Sequence, residues 1–168
     1  GINADVFFMN QIDSGKVLVT DEDFLIRWDY KGSAALIQPF VQWKYRITEK
    51  MDFTAGLHAQ YFSLSNSVSY AEPRIGWKWK LKNNQSVFAG AGMHSGTQPL
   101  YIYTYHRLDG DGNKVYHNKN MDFSRSLHSA LGYEKTFNKN LNVRSEVYYQ
   151  HLYNIPVTID PSSFSLIK

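Results

Sequence analysis

Between Ala35 and Leu64 two long runs alternate in polarity across one short turn, a pattern few folds can accommodate. Ala35, Ile37, Pro39, Val41, Trp43, Tyr45 and Ile47 share one parity, while Leu36, Gln38, Phe40, Gln42, Lys44 and Arg46 share the other. Side chains alternate across a strand with a period of two, so the first set makes a greasy face and the second a largely polar one. After Thr48-Glu49-Lys50 the alternation resumes, with Met51, Phe53, Ala55, Leu57, Ala59 and Tyr61 against Asp52, Thr54, Gly56, His58 and Gln60. The two runs read as a hairpin whose strands are about twice the 5–6 residues usual in globular sheets.

Strand length and the quality of the polar face point to an environment. A β-strand crossing an outer membrane needs about 9–11 residues, apolar toward lipid and polar toward a wet lumen. Gln42, Lys44, Arg46 and His58 are polar in that sense, and Trp43, Tyr45 and Tyr61 stand near the run ends, where an interfacial aromatic girdle belongs. A soluble sandwich or lipocalin-like barrel would instead bury the Val41, Trp43, Trp77 and Trp79 parity in protein.

Composition narrows the choice. The 168 residues suffice for one domain with a sizeable core, and the 15% aromatic content with 12 Tyr and 4 Trp is that of an all-β chain. Mean hydropathy is -0.43, and no apolar stretch approaches the roughly 18 residues of a transmembrane helix. With no cysteine, thiol catalysis, disulfides and thiolate zinc sites are all excluded. The 18 basic and 15 acidic residues are interleaved, so nucleic acid is not an expected partner. No basic and apolar leader precedes Gly1-Ile2-Asn3, which reads as a mature, processed or fragmentary chain.

Along the chain, alternation predicts strands near 2–10, 34–47, 51–64, 70–81, 86–95, 122–137 and 141–153, in up-and-down hairpin order. Long loops are expected at 11–33, which contains Asp21-Glu22-Asp23, and at 96–121; the tail from Asn154 to Lys168 reads as the start of a third. Lys82-Asn83-Asn84-Gln85 and Asn138-Lys139-Asn140 are tight turns. Long connections on one side and brief ones on the other suit an outer-membrane barrel. Seven strands is an odd number, and an open sheet in lipid would leave unpaired edges, so the expectation is part of a larger barrel rather than a closed one.

At this point specific segments become informative. Gln60-Tyr61-Phe62-Ser63-Leu64-Ser65-Asn66-Ser67, Ala71-Glu72-Pro73-Arg74-Ile75-Gly76-Trp77-Lys78-Trp79, Gly92 to Tyr101 with its Gln98-Pro99-Leu100-Tyr101, Asn120 to His128, Glu146 to Val157 and Pro161 to Leu166 resemble the barrel region of TonB-dependent outer-membrane receptors of Bacteroidota type. The resemblance implies a slice of the C-terminal β-barrel, without the plug domain or the TonB-contacting segment. It implies location in the outer membrane of a Gram-negative bacterium and import of a large nutrient such as a siderophore, glycan or peptide. The implied partners are outer-membrane lipid, the remainder of the barrel and its plug, and the TonB complex through that plug; no cofactor is implied.

Candidate site residues follow from parity. Lys44, Arg46, His58, Glu72, Arg74, Lys78, His128, Arg144 and Glu146 fall on the polar face, as lumen- or plug-facing groups; Arg74, Lys78, Lys80, Lys44 and Arg46 could make a basic strip for an anionic substrate, but plug or rim contacts near the short turns are the favoured reading. Tyr101, Tyr103 and Tyr105 could stack on a substrate or extend a strand above the membrane. Asp109-Gly110-Asp111-Gly112-Asn113 resembles the start of a calcium loop, with Asp109, Asp111 and Asn113 as ligands. The twelfth place, where a bidentate Glu belongs, is however Asn120, and a loop-tip turn reads better. The polar histidines lack any short metal-ligand spacing, and there is no nucleophile elbow, phosphate loop or paired carboxylate with a local base. Transport is expected rather than catalysis, with a small closed barrel of structural or adhesive role as the alternative.

Overall fold

The computed structural model describes residues 1–15 and 25–157. Among them lie β1 (Ile2–Gly15), β2 (Leu25–Thr48), β3 (Met51–Phe62), β4 (Ser67–Lys80), β5 (Gln85–Gly96), a short helix α1 (Leu100–Thr104), the two-residue strands β6 (Arg107–Leu108) and β7 (Lys114–Val115), β8 (Ser124–Asn138) and β9 (Leu141–Tyr153). The long strands form one antiparallel sheet in the order β1-β2-β3-β4-β5-β8-β9, curled into a half-barrel. The fold is all-β. Its two edges, β1 and β9, do not pair with each other.

Register converts the alternation into two faces. One row, Tyr45, Phe53, Trp77, Ala89, Leu131 and Val147, crosses six strands, and the neighbouring row of the opposite face is Arg46, Asp52, Lys78, Phe88, Gly132 and Glu146. Two grooves, of about 600 and 330 Å³, open on the second face, which is therefore the concave one. The short connections match their sequence. Asn83 and Asn84 both take positive φ (58° and 54°) in the β4–β5 turn, the geometry of a two-residue hairpin loop that asparagine tolerates. At the β8–β9 turn the Asn138 side chain accepts the Asn140 N–H at 2.9 Å.

The described parts of the loop expected at 11–33, residues 11–15 and 25–33, are strand. β1 continues to Gly15 and β2 begins at Leu25, with pairing through Gln11↔Tyr30 and Asp13↔Trp28. The reason is an inversion of polarity along β2. From Ile37 to Ile47 the apolar side chains point outward, but Trp28, Tyr30, Ala34 and Leu36 point inward, with Asp29, Lys31 and Ser33 outward. A period-two signal that changes sense in mid-strand cancels over a short window. Asp21-Glu22-Asp23 lies outside the described residues, as does the tail beyond Val157.

What covers the inward apolar patch is the connection between β5 and β8. Instead of standing clear as a loop, it turns through α1 and packs onto the concave side of β1 to β3. Met9, Ala34, Phe62, Tyr103 and Phe123 form a buried cluster there, flanked by Phe7, Tyr30, Leu36, Leu64, Leu100 and Met121. Polar anchors fix the same segment. Trp28 Nε1 donates to the Tyr101 carbonyl at 2.5 Å, Thr104 Oγ1 to Gln11 Oε1 at 2.6 Å, and Asn154 Nδ2 to the Phe123 carbonyl at 2.7 Å. The half-barrel thus carries its only described apolar core at one end, leaving the rest of the concave face open.

Candidate functional site

All nine polar-face candidates share the concave face by register. The row through Arg74 reads Gln42, Gly56, Arg74, Gly92, His128 and Gln150, with His58 opposite Glu72 in the next row and Lys44, Arg46, Lys78, Arg144 and Glu146 nearer the short turns. Several are tied into ion pairs: Arg46–Asp52 and Arg74–Glu72 at 3.5 Å, Lys78–Glu134 at 3.3 Å and Arg144–Glu146 at 2.9 Å. The Arg144 guanidinium also lies 4.3 Å over the Phe88 ring. That ring occupies the space above Gly132 so closely that a Cβ there would collide with it. Gly132 is the position where an aromatic side chain of one strand covers a glycine of the next.

The centre of the face is built on Glu72, which is only 2% exposed. A β-bulge at His58/Gln60 shifts the β3–β4 register, so Ser69 and Glu72 both face inward although their numbers differ in parity. Pro73 cannot donate to a ladder, and pairing of β4 with β5 ends at Arg74↔Gly92 while β5 continues alongside β8 to Gly96. Side chains bridge the gap. His58 Nδ1 lies 2.8 Å from Glu72 Oε2, and Gln60 Nε2 donates to Glu72 Oε1 at 2.8 Å and to the Ser95 carbonyl at 2.8 Å. The Ser95 hydroxyl donates to Glu72 Oε1 as well. A buried carboxylate is tolerable only with this kind of hydrogen-bonded enclosure.

Two open grooves meet beside this network. The first, about 600 Å³, is lined by Gln38, Phe40, Gln42, Thr54, His58 and Arg74 among others. The second, about 330 Å³, is lined by Arg74, His94, His128, Glu146 and Tyr148 among others. His94 and His128 meet edge to face, 5.0 Å between ring centres, but no group of three or more potential metal ligands occurs among the described residues.

The loop candidates separate. Tyr103 is buried, its ring 5.2 Å from that of Phe62, and its hydroxyl accepts the Gln98 N–H at 3.0 Å. Burial raises the pKa of that hydroxyl above the ordinary tyrosine value. It is a core residue on α1 and does not extend a strand. Tyr101 is partly exposed and Tyr105 half-buried, both edge-on to Trp28. Strand alternation in Tyr101, Tyr103 and Tyr105 was a coincidence of composition, since Leu100–Thr104 is helical.

Asp109, Asp111 and Asn113 form the tip of the β6–β7 hairpin. The Asp109 carboxylate accepts the N–H groups of Asn113 at 2.8 Å and Asp111 at 3.0 Å, which holds its pKa below the ordinary carboxylate value. Its oxygens close the turn. Parity put Gln60 on the polar face, but Ser69 and Ser95 were missed as partners of Glu72. The one signal for them is the broken alternation through Ser69-Tyr70-Ala71-Glu72 before a proline. No protein-family model, curated protein or solved structure matches the chain.

Proposed function

We propose that this chain forms part of the wall of an outer-membrane β-barrel, and that the barrel is a TonB-dependent import receptor. The observation that carries the membrane reading is the convex face. Phe8 is 86% exposed and Val147 75%, and Ile2, Val6, Val41, Trp43, Ile75 and Leu131 are exposed with them. Contiguous apolar patches of this extent are rare on surfaces that meet water, and lipid is the solvent that suits them. Trp43 stacked on Tyr45 (5.3 Å) and Trp77 beside Trp79 (6.1 Å) lie toward the short turns, where one aromatic girdle would sit.

The larger-barrel reading draws support from the edges. β1 and β9 lie at opposite ends of the sheet, and unpaired backbone groups in lipid cost several kcal/mol each. Neighbouring strands from the rest of a receptor would satisfy both, whereas a small closed barrel needs the two to pair with each other. The receptor assignment itself rests on the resemblance of the Glu72-Pro73-Arg74 and Gln98-Pro99-Leu100-Tyr101 segments. Import of a large nutrient follows from it, with a plug and the TonB complex as partners.

Fractionation of the source cells tests the proposal. The protein should be in the outer membrane, resist extraction by alkaline carbonate, and purify in detergent at a mass far above 19.4 kDa. Recovery as a 19.4 kDa species without detergent would overturn it.

A further inference from the structure

The two concave grooves share one wall residue, Arg74. Its surroundings differ from those of every other cation on that face. Gly56 and Gly92 are its direct neighbours on β3 and β5, Gly76 follows it along the strand, and Gly90 is paired with Gly76. The side chain therefore rises from a floor of bare backbone. Lys78, Arg46 and Arg144, by contrast, stand beside larger side chains closer to the turns, where Lys78 and Arg144 hold shorter ion pairs at 3.3 and 2.9 Å.

Glu72 does not saturate this guanidinium. The carboxylate already receives hydrogen bonds from Gln60 and Ser95 and lies 2.8 Å from His58, while Arg74 Nη2 stays 3.5 Å away. That is well beyond the roughly 2.7–2.9 Å of a charge-assisted hydrogen bond. The Arg74 side chain is 44% exposed, with the imidazoles of His58 on one side and His94 and His128 on the other lining the same grooves. A planar fork of donors above a glycine floor fits an oxyanion bidentately.

We infer that Arg74, in its glycine-floored bay, is an oxyanion-binding site that receives a carboxylate or phosphate group of a ligand lying along the concave face. The site depends on the shape of that face and not on the membrane reading, so the two can fail separately. Glu146 lines the second groove and repels an anion there, but its own ion pair with Arg144 at 2.9 Å offsets that charge. The carboxylate of Glu72 opposes binding from behind, and weakening it should therefore tighten the site.

Calorimetric titration of the folded full-length protein with citrate and, separately, with inorganic phosphate tests the inference. At least one should bind, and the tighter of the two identifies the group the site prefers. Arg74→Gln should weaken binding at least about tenfold and Arg74→Lys less, since an ammonium lacks the fork, whereas Lys139→Gln in the β8–β9 turn should leave binding unchanged. A second variant guards against a folding artefact. A Cβ at Gly76 would approach nothing closer than Thr54 Cβ at 4.0 Å, so Gly76→Val should fold, keep Arg74 in place and still abolish binding by filling the bay. Binding of neither anion, or affinity unchanged in both Arg74→Gln and Gly76→Val, overturns the inference.

Discussion

Replacing Val41 by arginine separates a lipid-facing strand from a water-facing one. On β2 the outward apolar band runs from Ile37 to Ile47. Its ten steps span about 33 Å at ~3.3 Å per residue, and a tilt of ~40° brings that to about 25 Å, the height of a lipid-facing band. Val41 is near the middle and 62% exposed on the convex face. An arginine at the bilayer midplane costs roughly 2–4 kcal/mol, whereas the same change at an exposed site in water stays within about 0.5 kcal/mol. With a urea slope of about 2 kcal/mol per molar, Val41→Arg should lower the unfolding midpoint by roughly 1–2 M in phospholipid vesicles. The paired control is Gln42→Arg, one residue on but concave, which should leave the midpoint almost unchanged. Equal shifts for the two variants would refute the two-faced reading.

Other predictions concern the concave face and the folded-in connection. Glu72→Ala should destabilise by roughly 3 kcal/mol, because it strands the buried donors of Gln60 and Ser95, with Glu72→Gln milder; urea midpoints give both. Gly132→Ala should displace the Phe88 ring at about 1–3 kcal/mol, and in a double-mutant cycle with Phe88→Ala the two losses should be strongly non-additive. Tyr103→Ala should cost about 3–5 kcal/mol and open the segment 97–123 to limited proteolysis, while Tyr103→Phe leaves it protected. The Asp109 carboxyl is held below its ordinary pKa by the Asn113 and Asp111 N–H groups, so its contribution to the β6–β7 turn is complete above that ordinary value. The turn should loosen as pH falls through the lowered pKa, seen as faster amide exchange at Asn113 relative to Asp109→Asn.

Much of the fold was legible where its strands obey a period of two over long uninterrupted runs. From Ile37 to Ile47 and from Pro73 to Trp79 every second residue is large and apolar, and the register places each of them on the convex face. Legibility fails where a strand meets two environments. The inward residues Trp28, Tyr30 and Ala34 are apolar because α1 lies over them, and that covering depends on a contact between positions about seventy residues apart, which local alternation cannot signal. The site was half legible for a related reason. Arg74 and His58 follow parity, but the enclosure of Glu72 depends on a bulge that brings Ser69 inward and on a ladder that stops at Gly92. Neither register shift leaves a composition of its own; only the break before Pro73 hints at it.

The central claim is the division of the half-barrel into a lipid-facing and a water-facing surface, and the absence of native cysteine allows a direct test. Single cysteines placed in turn at positions 36–47 of β2 can be labelled in membranes with a fluorophore and exposed to a quencher carried on lipid acyl chains. Quenching should alternate with a period of two, strong at 37, 41, 43 and 45 and weak at 38, 42 and 44. Uniform quenching along the strand, or an alternation of the opposite sense, would contradict the account.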